Sequence, residues 1–223
     1  MHAEHLQDGT LAISGTSRIE TFNRIWAGIG WPDRDQGHFC VVGERLDGRY
    51  HCLWEKQGGL WELGNAALEA KDRFLIECIW ADTRDTVATS YLRTLDGLCF
   101  YEDPEETSIQ PASAAEPPTQ RDHFRDRDTT ATVVPVPERI AANYRSALEK
   151  TRGVIMTGGL MIYERNCPRL VYILRQPLEE LIASPVMKAL VWVICALEEH
   201  KGNGLIENEA AGPWYGNPPR PLS

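Results

Sequence analysis

The pattern of apolar and polar positions over residues 24–55 (RIWAGIGWPDRDQGHFCVVGERLDGRYHCLWE) predicts three strands in immediate succession. Residues 24–31 form a short apolar run rich in β-formers, closed by Pro32 and the polar cluster Asp33-Arg34-Asp35-Gln36-Gly37. Residues 38–46 and 49–55 flank Asp47-Gly48, a dipeptide suited to a two-residue type I′ turn because both residues tolerate positive φ. With Leu46 opposite Arg49, Cys40, Val42, His51, Leu53 and Glu55 are expected on one face, and Val41, Gly43, Cys52 and Trp54 on the other. Both faces are mostly apolar, so this sheet should be covered on both sides.

Beyond Gly58-Gly59 the period changes. Residues 60–74 carry Leu60, Leu63, Ala67 and Leu68 at helical spacing, with charges between. Residues 75–81 (LIECIWA) are a continuous apolar run of strand length ending on Asp82, and Asp85 stands where it would cap a helix over 86–95. A short strand over 98–101 follows. Residues 102–132 are rich in Pro, Ser, Asp, Glu and Arg and almost lack large aliphatics, the composition of a long mobile loop. Then come a helix over 138–151 ended by Gly153, an apolar segment over 160–163, and a helix over 168–183 with Pro168 in its first turn. A last helix, 186–200, is apolar nearly all round and therefore buried. Residues 1–23 have no clear period and read as a lead-in segment, with a turn at Ser14-Gly15. Residues 201–223 read as a flexible Gly/Pro tail. Three antiparallel strands followed by α/β alternation predict one ribonuclease H-like α/β domain over 24–200, a mixed sheet with helices on both faces.

Composition narrows the field. A chain of 223 residues with 43% hydrophobic and 25% charged residues can build one full core. No apolar run reaches the roughly 18 residues of a membrane span, and the N-terminus shows no basic region followed by an apolar one; a cytoplasmic location is expected. The six cysteines are scattered singly, without a CxxC pair, as buried reduced thiols would be. His38, Cys40, His51 and Cys52 invite a zinc reading, but the predicted hairpin register puts Cys40 and Cys52 on opposite faces. A net charge of −9 argues against sequence-independent DNA binding through a basic footprint, though not against an enzyme that meets phosphates through carboxylate-held metal ions.

In a sheet of this kind, carboxylates at the ends of adjacent strands converge on one edge, and a pair of hard divalent ions needs several such oxygens, one of them bridging. The relevant strand ends are Gly30-Trp31-Pro32-Asp33-Arg34-Asp35 and Trp80-Ala81-Asp82. Here the chain resembles a known family, the C-terminal nuclease domain of the large terminase subunit of tailed phages, which cuts DNA concatemers during packaging. IWAGIGWPDRDQGHFCVVGERLDGRYHCLWE is similar to the family's opening, a strand ending Gly-Ile-Asp-Trp-Gly, a polar turn and a second strand. FLIECIWADTRD resembles the strand that ends in the second metal-binding Asp, and VPERIAANYRSAL, LMIYERNCPRLVYIL and PVMKALVWVICALEE resemble the last helices and strand. The likeness spans residues 24–200 and rests on order and spacing more than on any rare motif.

Carried over residue by residue, the first family Asp falls on Gly30, the second on Asp82, and the third, from an Asp-Ala-Leu-x-Tyr pattern, on Lys188. The resemblance thus implies a phage- or prophage-derived, nuclease-like protein with a degraded metal centre: Asp82 remains, and the residue that bridges the ions is gone. Lys188 would repel Mg²⁺ and partly neutralise Asp82. Asp33 and Asp35, three and five residues past Gly30, are candidate substitute ligands, with a solvated turn as the alternative. Asp82 is equally a strand-end helix cap, Glu55 a strand-end charge, Glu77 a salt-bridged strand residue, and Lys188 a snorkelling helix residue. An active protein would be a Mg- or Mn-dependent endodeoxyribonuclease acting on DNA through Asp82, Asp33 and Asp35. An inactive one would be a binding or assembly module, partnered by a separate terminase ATPase or another phage assembly protein. The chain has no Walker A sequence; the Gly-rich stretch 153–160 lacks its Lys and Ser/Thr. The loop stretch RDHFRDRD alternates in sign and reads as internally neutralised.

Overall fold

The computed structural model describes residues 2–6, 10–14, 20–33, 36–101 and 130–201. A hairpin of β1 (His2–His5) and β2 (Leu11–Ser14) leads into three long antiparallel strands, β3 (Glu20–Asp33), β4 (Gln36–Arg45) and β5 (Tyr50–Gly58). There follow α1 (Leu60–Phe74), β6 (Cys78–Ala81), α2 (Thr86–Leu92), β7 (Leu98–Phe100) and β8 (Ala131–Pro135). The chain continues through α3 (Glu138–Ala142), α4 (Tyr144–Met156), β9 (Leu160–Ile162), α5 (Pro168–Ile173), α6 (Leu178–Ala183) and α7 (Pro185–His200). The strands form one mixed sheet in the order β7-β8-β6-β3-β4-β5-β9, with β2 also paired to β3. β3 and β6 are parallel, as are β6 and β8, whereas β4 runs antiparallel to both β3 and β5.

Strand alternation gives the sheet two apolar faces. Ile25, Ala27, Ile29, Phe39, Val41, Leu53 and Ile79 pack with Leu63, Ala67, Phe74 and Leu92, so α1 and α2 cover one side. Trp26, Cys40, Val42, Cys52 and Trp80 pack with residues of α3 to α7 on the other. The predicted α/β sheet with helices on both faces is therefore present. α7 is buried along its length from Val186 to Leu197 except at Lys188, as its all-round apolar sequence requires.

The hairpin register differs from the expectation, for a local reason. Arg45, not Leu46, faces Arg49: Arg45 N donates to Arg49 O at 2.8 Å and Gly48 N to Arg45 O at 2.9 Å, with Gly48 at φ +81°. The loop is thus three residues long, and only Gly48 takes the left-handed conformation. A bulge between Val41 and Val42 then restores the expected pairing at Val41–Trp54 and Cys40–Glu55. Between turn and bulge every side chain changes face. Cys52 joins Cys40 and Val42, while His51 and Leu53 join Val41.

Other boundaries shift too. Leu75 adopts a left-handed backbone (φ 52°) to end α1, so β6 starts at Cys78, and Glu77 is an exposed residue before the strand, without an ion pair among the described residues. Pro177 offers no amide and separates α5 from α6. α4 runs through Gly153 and stops only before Gly158, at φ +74°. The lead-in contains β1, β2 and the first residues of β3; β1 (HAEH) and β2 (LAIS) are each four residues long, too short to set up a period. Of the expected loop over 102–132, residues 102–129 lie outside the described residues, as do 202–223 of the tail. Among the described residues no helix is long and apolar enough to cross a membrane.

Candidate functional site

Parallel pairing of β3 with β6 sets Ile29 beside Ala81, so Gly30 and Asp82 stand side by side at the same end of the sheet, Asp82 just past β6 but Gly30 still within β3, which continues to Asp33 rather than ending at residue 31. The Trp31 indole N–H donates to the Asp82 carbonyl at 2.6 Å and ties the two strand ends together. The Asp82 side chain turns to its own loop. Its Oδ1 accepts from Arg84 N at 3.2 Å and Nε at 2.7 Å, and its Oδ2 from Arg84 Nη2 at 2.5 Å. Partial burial works to raise the Asp82 pKa, but the Arg84 hydrogen bonds and charge, with a smaller contribution from Lys188, outweigh it and hold the carboxyl below its ordinary value. Asp82 does not cap the next helix. Asp85 does, accepting from Ala88 N at 2.9 Å.

Gly30 is where the sheet meets α7. A Cβ built there would stand 2.0 Å from the Pro185 carbonyl oxygen, and one at Gly28 would stand 2.0 Å from that of Ala189. The two glycines form a trough in β3 that receives the backbone of the first turns of α7, a close approach that side chains forbid. The space beside residue 30 is therefore filled by helix backbone. Lys188, half-buried on the same turn, adds positive potential to the Asp82 carboxylate. Asp33 ends β3, its backbone paired with Gln36; its side chain, and Asp35 entirely, lie outside the described residues.

The other singled-out residues have structural partners. Glu55 accepts from Arg169 N at 2.5 Å and Leu170 N at 3.0 Å, and its Oε2 lies 3.1 Å from His38 Nε2, so this strand residue caps the start of α5. His51 is on the opposite face, with Nδ1 3.2 Å from Glu20 Oε2. Cys40 and Cys52 share a face after all. The Cys52 sulfur lies 3.5 Å from that of Cys167, and hydrogen bonding to Cys52 together with burial pushes the Cys40 and Cys167 thiols well up, keeping them protonated. Among the described residues no three His, Cys, Asp or Glu side chains gather as a metal-holding group.

One feature of this end of the sheet had no sequence signal. Lys56, Arg73, Arg165 and Arg169 line a groove of about 470 Å³ between the end of β5, the end of α1 and the turn before α5. Their positions are spread over more than half the chain, so only folding collects them. No protein-family model matches this chain, and no curated protein is detectably similar to it.

Proposed function

We propose that this chain is a phage- or prophage-derived relative of the terminase nuclease domain, on a ribonuclease H-like scaffold, that has exchanged catalysis for a binding or assembly role. Three antiparallel strands joined side by side to parallel, helix-connected strands support the scaffold reading. One observation carries the loss of chemistry: the Pro185 carbonyl occupies the space into which a residue-30 carboxylate would project. A two-metal centre needs a bridging carboxylate at that strand. The remaining family carboxylate, Asp82, spends both oxygens on Arg84 and faces the field of Lys188. These described residues do not fit a pair of Mg²⁺ or Mn²⁺ ions, and no metal-dependent step is derived from them.

The test is calorimetric titration with Mn²⁺ beside a plasmid-nicking assay across Mn²⁺ concentrations. The expected result is neither saturable binding nor nicking. Nicking that disappears in Asp82→Asn would overturn the reading and return Asp33 and Asp35 as substitute ligands of an active endonuclease.

A further inference from the structure

We infer that the groove lined by Lys56, Arg73, Arg165 and Arg169 is a docking site for a short acidic segment of a protein partner. The inference takes from the preceding reading only that this protein binds rather than cuts. The groove lies at the Gly30 end of the sheet but two strands away, since Gly30 pairs with His38 and His38 with Gln57. Lys56, Arg165 and Arg169 are exposed, and among the described residues none of the three joins an ion pair. Arg73 is bonded to Glu69 at 3.1 Å and lies over the Trp54 ring, 5.8 Å from its centroid, which aligns it along the groove wall. Among the described residues the one carboxylate lining the groove, Glu55, is already taken by the Arg169 and Leu170 amides and by His38. Three exposed cations, Lys56, Arg165 and Arg169, thus face solvent beside a carboxylate that is otherwise engaged, with the already paired Arg73 on the groove wall.

A concentration of positive charge in a chain of net charge −9 calls for a local anion. A long nucleic acid strand would run beyond the groove into the repulsive field of an acidic molecule, whereas a segment of a few residues stays within about one Debye length, ~8–10 Å, of the cations. The uncharged lining also suits a peptide. Trp54 and Pro168 lie in the groove, and the Arg169 guanidinium stacks 5.0 Å from the ring centroid of the half-exposed Tyr172. Arginine beside Trp and Tyr is the composition of protein-recognition hot spots.

Fluorescence anisotropy of the full chain with labelled hexaglutamate, hexaglutamine and an oligothymidylate of matched charge tests this. Hexaglutamate is expected to bind saturably and to weaken with added salt, and hexaglutamine to show no binding. Arg165→Glu/Arg169→Glu should lose at least about tenfold in hexaglutamate affinity through lost attraction and new repulsion. Both side chains are exposed, and Arg165→Gln/Arg169→Gln, expected to show a smaller loss, serves if the charge reversal disturbs folding by circular dichroism. Three results would overturn the proposal. They are no saturable hexaglutamate binding up to about 1 mM, equal binding by wild type and both variants, or tighter oligothymidylate binding that the same variants abolish. Mn²⁺-dependent nicking would overturn the non-catalytic reading and leave the peptide result intact; absent peptide binding without nicking would overturn the groove alone.

Discussion

Asp82 shows how one neighbour decides what a carboxylate can do. Burial alone would favour its neutral form, as in a general acid, but Arg84 two residues on reverses the sign. Because the folded pKa is depressed, the Asp82–Arg84 pair contributes stability that is fully present above the ordinary carboxylate pKa. It disappears as pH falls through the lower folded value. Arg84 is exposed, so that contribution is about 1 kcal/mol or less. Arg84→Ala removes the guanidinium hydrogen bonds and charge, leaving burial opposed by the residue-84 amide and the weaker influence of Lys188, and the Asp82 pKa is expected to rise. Following the Asp82 carboxylate resonance by NMR against pH checks this; an unchanged pKa in Arg84→Ala would refute the assignment. Sequence alone offered Asp82 as ligand or cap and could not reveal this third role, because a side chain's choice among nearby donors is made by loop geometry.

Between elements, the decisive contact is backbone on backbone. The trough at Gly28 and Gly30 lets α7 lie directly on β3, and both glycines were visible in the sequence as the run Gly28-Ile29-Gly30. What the sequence could not give was the reason: the glycine reads as a deletion of chemistry until the helix above it is seen. Adding one methyl at residue 30 must displace Pro185, so Gly30→Ala is expected to cost about 1–3 kcal/mol as overpacking. For a chain of this size that lowers Tm by roughly 2–4 °C per kcal/mol. Gly30→Asp should cost at least as much and gain no Mn²⁺ affinity. Thermal melts followed by circular dichroism decide the matter; a Gly30→Asp protein melting like wild type would mean that α7 yields easily and the trough is not a constraint. The same scale explains which elements were legible. α1 matched from end to end because Leu63, Ala67 and Phe74 keep strict helical spacing, whereas the β4–β5 faces were misassigned because one extra loop residue and one bulge outweigh any alternation pattern.

For the whole molecule, most of the order of strands and helices was readable because each apolar run had the length and period of its element, and the sheet's two apolar faces announced two covering layers; β8 was missed, because its first residues fall within the expected loop over 102–132. The β1–β2 hairpin was not readable, since strands of four residues with polar members leave no period, and the basic groove was not, since its members meet only in three dimensions. The resulting architecture predicts a gradient of local stability. Among the described residues β3 and β4 are bonded on both edges and covered on both faces, and α7 is buried against them, whereas β7 and β9 are three-residue edge strands and β1 pairs only with β2. Opening an edge exposes little apolar area; opening β3 exposes both cores at once and opening α7 exposes the whole of one, so their amides can exchange only through global unfolding. Hydrogen exchange followed by mass spectrometry is expected to find the slowest amides in peptides covering residues 25–31, 39–43 and 188–197, and the fastest strand amides in β1, β7 and β9. If α7 exchanged as fast as β9, the helix would be an appendage that leaves β3 in solution. Gly30 would then be open to solvent, with room beside it for a carboxylate.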